Sequence, residues 1–123
     1  MEIKVQKNNE NIYLLELSGS LDLYSSTQLK DLFMKIIESR VARLIINLKD
    51  VNSINSAGIG ALINICSTTR KLNCPLIVII PEGPILQVLE AARLRHYFNI
   101  VPSMKEAISL AASGADVNNI KEI

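Results

Sequence analysis

The chain has 123 residues, of which 49% are hydrophobic and 20% are charged. A chain of this length folds as a single domain that buries roughly two thirds of its unfolded surface. The formal net charge is +1 and the basic residues are spread along the sequence. This distribution excludes the clustered positive face that direct binding of nucleic acid or an anionic membrane requires.

The first residues alternate between polar and apolar types and lack the apolar core of a signal peptide. No apolar run approaches the 18 or more residues of a membrane span. Cys66 and Cys74 lie in apolar stretches without a paired Cys-x-x-Cys motif, which is typical of reduced core thiols. We therefore expect a soluble domain of the cytoplasm.

The chain opens with two alternating segments, at residues 2–7 and 12–18, separated by the turn-prone residues 8–11. This pattern predicts a β-hairpin. Residues 19–22 are expected to form a loop. A helix is then predicted from about Ser26, with one buried stripe at the i, i+3, i+4, i+7 spacing, formed by Leu29, Leu32, Phe33, Ile36 and Ile37.

Strands and helices alternate from there on. Strands are predicted at residues 42–48, 75–80 and 97–101. Helices are predicted from 56 to about 71, from the proline-rich turn at 81–84 to about 92, and from Pro102 through 111. Residues 113–123 lose the pattern and are expected to be a flexible tail after a domain at 1–112. The order predicts an α/β fold with a mixed sheet of four or five strands and about four helices.

The junction at residues 54–60, Ile-Asn-Ser-Ala-Gly-Ile-Gly, joins a buried strand to an apolar helix. Asn55 is a favourable N-cap, which puts Ser56 in the first turn, where the helix dipole favours a phosphate. Gly58 and Gly60 follow, although a glycine inside a helix costs about 1 kcal/mol relative to alanine. Either something approaches this backbone closely, or the segment is an ordinary capped turn that packs through its glycines.

The helix after Ser56 carries a second stripe of small and apolar side chains, formed by Ala61, Ile65, Thr68 and Leu72. A surface helix needs only one apolar stripe. The second one is therefore either covered by the neighbouring helix or exposed as a docking face.

Residues 3–110 resemble the anti-sigma factor antagonist family, whose fold is the STAS domain. The resemblance rests on Gly-Ser-Leu-Asp at 19–22, on Leu-Ile-Ile-Asn-Leu-Lys-Asp-Val at 44–51, and above all on Asn-Ser-Ala-Gly-Ile-Gly at 55–60. The usual family motif at the last position is Asp-Ser-(Ser or Thr)-Gly-(Leu or Ile)-Gly.

The resemblance implies a phosphorylation switch without an enzymatic activity or a cofactor. Ser56 matches the serine that an anti-sigma serine kinase phosphorylates, and a PP2C-type phosphatase reverses the modification. The unmodified protein, a monomer or weak dimer, binds the kinase and thereby releases a sigma factor. The implied partner-binding residues are Asp22, Asn55, Ser56, Ala57, Gly58, Gly60, Ala61 and Ile65.

Three positions depart from the family pattern. Asn55 replaces the usual aspartate, and Ala57 replaces a serine or threonine. Ala-Arg-Leu at 92–94 replaces a glycine-containing helix stop, so the third helix is expected to end differently, past Arg93. An alternative function is therefore a scaffold or ligand-sensing module of the same fold that is not phosphorylated.

Other candidate sites carry less weight. His96 is expected at the surface or a strand end, because it has no ligand or catalytic partner at a suitable spacing. Gly58 and Gly60 lack the third glycine and the acidic residue of a dinucleotide-binding motif. Ser56 lacks the Gly-x-Ser-x-Gly context of a hydrolase nucleophile.

Overall fold

The computed structural model describes residues 1–113. The predicted tail, apart from Ser113, therefore lies outside the described residues. The predicted hairpin is present as strands β1 (Glu2–Lys7) and β2 (Ile12–Leu21), which pair antiparallel. Its turn is closed by Asn8, whose side-chain oxygen accepts the backbone N–H groups of Glu10 (2.9 Å) and Ile12 (3.0 Å).

Three parallel strands extend the sheet beyond β2. They are β3 (Arg43–Ile54), β4 (Leu76–Ile79) and β5 (Ile100–Val101), and the order across the sheet is β1-β2-β3-β4-β5. Helices α1 (Leu23–Ile37), α2 (Ser56–Lys71) and α3 (Pro84–Ala91) connect them, and α4 (Met104–Ser113) follows β5. The predicted α/β domain with a mixed sheet and four helices is confirmed.

The two faces of the sheet are covered unequally. Alternate strand residues such as Leu15, Ile46 and Val78 pack with α1, α2 and α3 in one large core. The intervening residues Ile45, Ile77 and Ile79 pack against Ala107 and Ala111 of α4 in a smaller one. Because successive side chains point to opposite faces of a strand, three helices lie on one face and α4 lies on the other.

Two strands are longer than predicted. Residues 19–21, expected in a loop, continue β2, and β3 runs to Ile54 instead of ending near residue 48. The parallel pairing of β2 with β3 continues through two register shifts to the pair Leu21↔Ile54. Such irregularities insert unpaired residues and break the alternation of side chains that reveals a strand in a sequence. As a result α1 begins at Leu23, three residues before the predicted Ser26.

The second stripe of α2 is mostly covered. Ala61 and Ile65 are 2% and 0% exposed, because α1 packs alongside α2. Leu72, at the end of the helix, is 55% exposed. The expectation that Ala61 and Ile65 belong to a docking surface is therefore wrong: both side chains are buried between the helices and the sheet.

Helix α3 ends at Ala91, and the expectation that it continues past Arg93 is wrong. Arg93 adopts the left-handed conformation, with φ of 61°. Its N–H donates to the carbonyl of Glu90 (3.0 Å), and the N–H of Leu94 donates to the carbonyl of Leu89 (2.8 Å). These two bonds form a Schellman motif, whose left-handed position is usually glycine. Arginine thus fills the glycine position without changing the helix end.

We predict that Arg93→Gly stabilises the protein. An L-residue in the left-handed region costs about 1–2 kcal/mol, and glycine removes this cost while adding some entropy to the unfolded chain. The free energy of unfolding from urea titration should rise by about 0.5–1 kcal/mol. Asn73→Gly is the matched control, because Asn73 ends α2 with φ of 55° and asparagine tolerates this region better. A lower free energy of unfolding in Arg93→Gly would contradict the assignment of Arg93 to the left-handed position of this motif.

Both cysteines are free and buried. Cys74 is 5% exposed, and burial raises the pKa of its thiol to about 11. The Cys74 thiol is therefore not a nucleophile at neutral pH, since the thiolate is the reactive form. Within residues 1–113, no helix is long and apolar enough to cross a membrane.

Candidate functional site

Two helices begin side by side where β2 and β3 end. Leu21 and Ile54 are paired in the parallel ladder, and the next residue of each strand, Asp22 and Asn55, is the N-cap of the following helix. The N–H of Asn55 donates to the carbonyl of Leu21 (3.2 Å), which ties the two helix starts together. The candidate site is therefore the edge of the sheet at which α1 and α2 start.

Asn55 caps α2 as predicted. Its side-chain oxygen accepts the N–H of Gly58 (3.1 Å), and its carbonyl accepts the N–H of Ile59 (3.0 Å). Ser56 is the first residue of α2 and is exposed. The first N–H groups of a helix have no acceptor within the helix, so those of Ser56 and Ala57 remain available beside the serine hydroxyl. An anion attached to this hydroxyl would lie at the positive end of the α2 dipole.

Asp22 caps α1 through a reciprocal pair of bonds with Ser25. Its carboxylate accepts the N–H of Ser25 (3.0 Å), while the Ser25 hydroxyl accepts the N–H of Asp22 (2.8 Å). The Ser25 N–H, together with the Ser25 hydroxyl, which lies 3.0 Å from the same carboxylate oxygen, holds the pKa of the exposed Asp22 carboxyl below its ordinary value. Asp22 therefore carries a negative charge at neutral pH, on the same rim as Asn55.

Gly58 is buried, and its role is structural. A Cβ at this position would lie 2.5 Å from the carbonyl oxygen of Leu21 and 2.8 Å from Cγ1 of Ile54. The predicted close approach to this backbone is made by the end of β2 within the same molecule. Gly58 was expected in the partner surface, but its burial excludes direct contact with a partner.

Gly60 differs from Gly58 in its burial and in the space around it. It is exposed, and a Cβ built on it would meet no atom within 4 Å. Nothing among the described residues explains why a helix-weakening residue occupies this position. The half-buried Ala57 and the exposed Gly60 add little side-chain bulk next to Ser56, while Ile59 between them packs partly against the core.

Two large apolar side chains at the start of α1 were missed by the sequence analysis. Leu23 and Tyr24 are 72% and 84% exposed. With Asp22 and Asn55 they line an open groove of about 800 Å³. Extending the apolar stripe of α1 back by one turn places Leu23 and Tyr24 on the outer face, whereas a helix start at Ser26 leaves both residues outside the helix. Exposed Tyr and Leu beside polar groups are typical of binding surfaces.

We predict opposite effects of alanine at the two glycines of this turn. Gly58→Ala should lower the free energy of unfolding by about 2 kcal/mol or more, because the new methyl group meets the rigid backbone of β2. Gly60→Ala should raise it by about 0.5–1 kcal/mol, because alanine favours helix and the space is open. Urea titration of both variants measures the difference. Equal effects would refute the distinction between the two glycines.

The comparisons with known proteins identify the family of the chain. The model of the STAS domain family matches residues 3–107. Since the match covers most of the chain, the protein belongs to the STAS domain family. A comparison with curated protein sequences finds no match.

Solved structures with this fold include anti-sigma factor antagonists. SpoIIAA in its unphosphorylated form is 17% identical, with a TM-score of 0.75 over 93% of this chain and 98% of that chain. An anti-sigma factor antagonist from Mycobacterium paratuberculosis is 16% identical, with a TM-score of 0.76 over 90% and 93%. The phosphorylated form of Bacillus SpoIIAA is 17% identical, with a TM-score of 0.70 over 89% and 99%. At such identities these structures show a shared fold.

Proposed function

We propose that this protein is an anti-sigma factor antagonist that binds an anti-sigma serine kinase and is switched off by phosphorylation of Ser56. Binding to the kinase would release the sigma factor that the kinase holds. The observation that carries the proposal is the exposed Ser56 hydroxyl at the start of α2, beside two available N–H groups. The hydroxyl can be reached by a kinase, and the modified side chain has donors ready to receive it.

The physical basis of the switch is a difference between the free and the bound protein. A phosphoserine carries about −1.5 to −2 charges at neutral pH. In the free protein, water and the α2 dipole stabilise this charge. In an interface the same charge would be desolvated and would lie on the rim that carries the ionised Asp22, which is costly without a compensating cation.

The exposed part of the predicted site defines the proposed contact surface. It consists of Asp22, Asn55, Ser56, Gly60 and the half-buried Ala57. Leu23 and Tyr24 extend it along α1 and supply the apolar area that a protein partner can bury. The buried residues Gly58, Ala61 and Ile65 act indirectly, by holding α2 against β2 and α1.

The proposal includes the cellular setting. The protein would act in the cytoplasm as a monomer or weak dimer, and a PP2C-type phosphatase would restore the unmodified serine. Its contacts would be with proteins, and it would bind neither nucleic acid nor membrane directly.

The motif itself favours a second candidate function. Asn55 and Ala57 stand where the family motif has an aspartate and a serine or threonine, so a kinase that reads those side chains would not recognise this chain. The protein would then be an unphosphorylated scaffold or ligand-sensing module of another signalling assembly.

Variants of Ser56 separate the two candidates. Coexpression with its anti-sigma serine kinase should increase the intact mass by one phosphate, and Ser56→Ala should abolish the increase. Ser56→Ala should still bind the kinase, because only a hydroxyl is removed. Ser56→Asp should weaken binding by about 2 kcal/mol or more, because its carboxylate is desolvated in the interface.

The stability of the free protein is the control for these variants. Ser56→Asp should change the free energy of unfolding by less than about 1 kcal/mol, because the helix dipole favours a carboxylate in the first turn. Equal binding of the Asp and Ala variants, measured by calorimetric titration against the kinase, would show that this hydroxyl is not the switch. The absence of a mass change would favour the scaffold.

Asn55→Asp tests recognition of the motif. Asparagine and aspartate cap helices about equally well, so folding should be unchanged. A kinase that donates a hydrogen bond to the usual aspartate loses about 1.5–3 kcal/mol when it meets asparagine. Repulsion of the incoming phosphate by the added carboxylate is screened over about 8 Å at physiological salt. Kinases of family members that carry the aspartate should therefore phosphorylate Asn55→Asp faster than the natural chain.

Initial rates measured with such a kinase decide this point. The chain's own kinase is the comparison. A kinase adapted to asparagine should phosphorylate Asn55→Asp no faster than the natural chain. An unchanged or lower rate with the first kind of kinase would refute recognition of the aspartate.

A further inference from the structure

A second groove, unrelated to Ser56, lies on the α4 face of the sheet. It occupies about 370 Å³ where β4 and β5 end and α4 begins, while β3 continues past them. Sites for small ligands have volumes of about 300–1,000 Å³ and combine apolar walls with a few placed polar groups. Here Ile79, Pro81 and Met104 supply apolar walls, and the polar lining contains charges of both signs.

Asn47 supplies an oriented amide donor to this groove. It is 8% exposed and interrupts an otherwise apolar run of β3. Its side-chain oxygen accepts the N–H of Lys49 (2.9 Å), which fixes the orientation of the amide. The amide nitrogen has no acceptor among residues 1–113. This nitrogen is not one of the buried side-chain atoms without a partner among the described residues, so it reaches the surface of the groove and can donate to a ligand there.

The start of α4 lines the same groove. Ser103 caps the helix, and its hydroxyl accepts the N–H of Glu106 (3.4 Å). The N–H groups of Met104 and Lys105 have no acceptor within the helix. A helix start and a free amide donor that open into one groove both favour an acceptor with negative charge.

The charged side chains of the groove do not neutralise one another. Lys49, Glu16 and Asp50 all line it, yet in the described part of the chain none of them forms an ion pair within 4.0 Å. Glu16 accepts a hydrogen bond from Gln6 (3.0 Å), which occupies only one of its oxygens. Both a cation and two carboxylates thus remain available to a ligand that carries both charges.

We propose that this groove binds a small α-amino acid with an apolar side chain. The ligand carboxylate would meet the amide nitrogen of Asn47, the side chain of Lys49 and the start of α4. Its ammonium group would meet Glu16 and Asp50, and its side chain would cover the apolar walls. This proposal is independent of Ser56 and adds a ligand to the protein.

Titration of the full chain with three probes tests the ligand class. L-Leucine carries both charges, 4-methylpentanoate lacks the ammonium group, and 3-methylbutylamine lacks the carboxylate. Amide shifts in ¹H–¹⁵N NMR spectra should move around Asn47 and Met104 with L-leucine, and each analogue should bind about tenfold more weakly or worse. No shift with L-leucine at millimolar concentration, or equal binding of an analogue, would overturn the proposal.

Two variants locate the site. Asn47→Asp keeps the acceptor for the N–H of Lys49 but replaces the donor with a carboxylate, so L-leucine affinity should fall about tenfold or more. Lys49→Gln removes an exposed cation without burying anything, and it provides the test if Asn47→Asp does not fold. Lys30→Gln, an exposed change on α1, is the matched control and should bind like the natural protein. Undiminished affinity in folded Asn47→Asp, or in Lys49→Gln, would refute the site.

Discussion

The contact between the end of β2 and the first turn of α2 is the constraint on which the candidate site depends. The carbonyl of Leu21 accepts the N–H of Asn55, and the bare backbone of Gly58 lies directly against the same residue. Any side chain at Gly58 would push α2 away from the sheet. The position of Ser56 is therefore fixed by a backbone contact two residues further along the helix.

The neighbouring N-caps differ in charge, and this difference makes the electrostatic potential of the site uneven. Asp22 caps α1 with a full negative charge, whereas Asn55 caps α2 without one. The start of α2 thus keeps its positive potential for an added phosphate, while the start of α1 repels it. Aspartate at both caps would offer a phosphate a less favourable environment, so asparagine at position 55 changes the electrostatics of the proposed switch while it keeps the helix cap.

The sequence predicts the fold and the position of Ser56 well, because both depend on local patterns. Apolar periodicity identifies the helices and the buried strands, and the Asn-Ser junction marks the start of α2. The covering of Ala61 and Ile65 could not be predicted, since a stripe does not specify which neighbour packs on it. The extension of β2 over residues 19–21 was also missed, because pairing with β3 outweighs the loop preference of Gly-Ser. Arg93 shows that a helix can end in the usual geometry without the usual glycine.

The buried thiol of Cys74 makes the stability of the fold depend on pH in the alkaline range. Its pKa is about 11 in the folded protein, against 9.0 for an unperturbed thiol. Below the lower value both states hold the proton, and the thiol leaves the folding equilibrium unaffected. At higher pH the unfolded chain ionises first, so the stability of the folded state falls as pH rises. Alkylating reagents, which require the thiolate, should then react at this position mainly in molecules that have opened, so labelling would report how often the core opens.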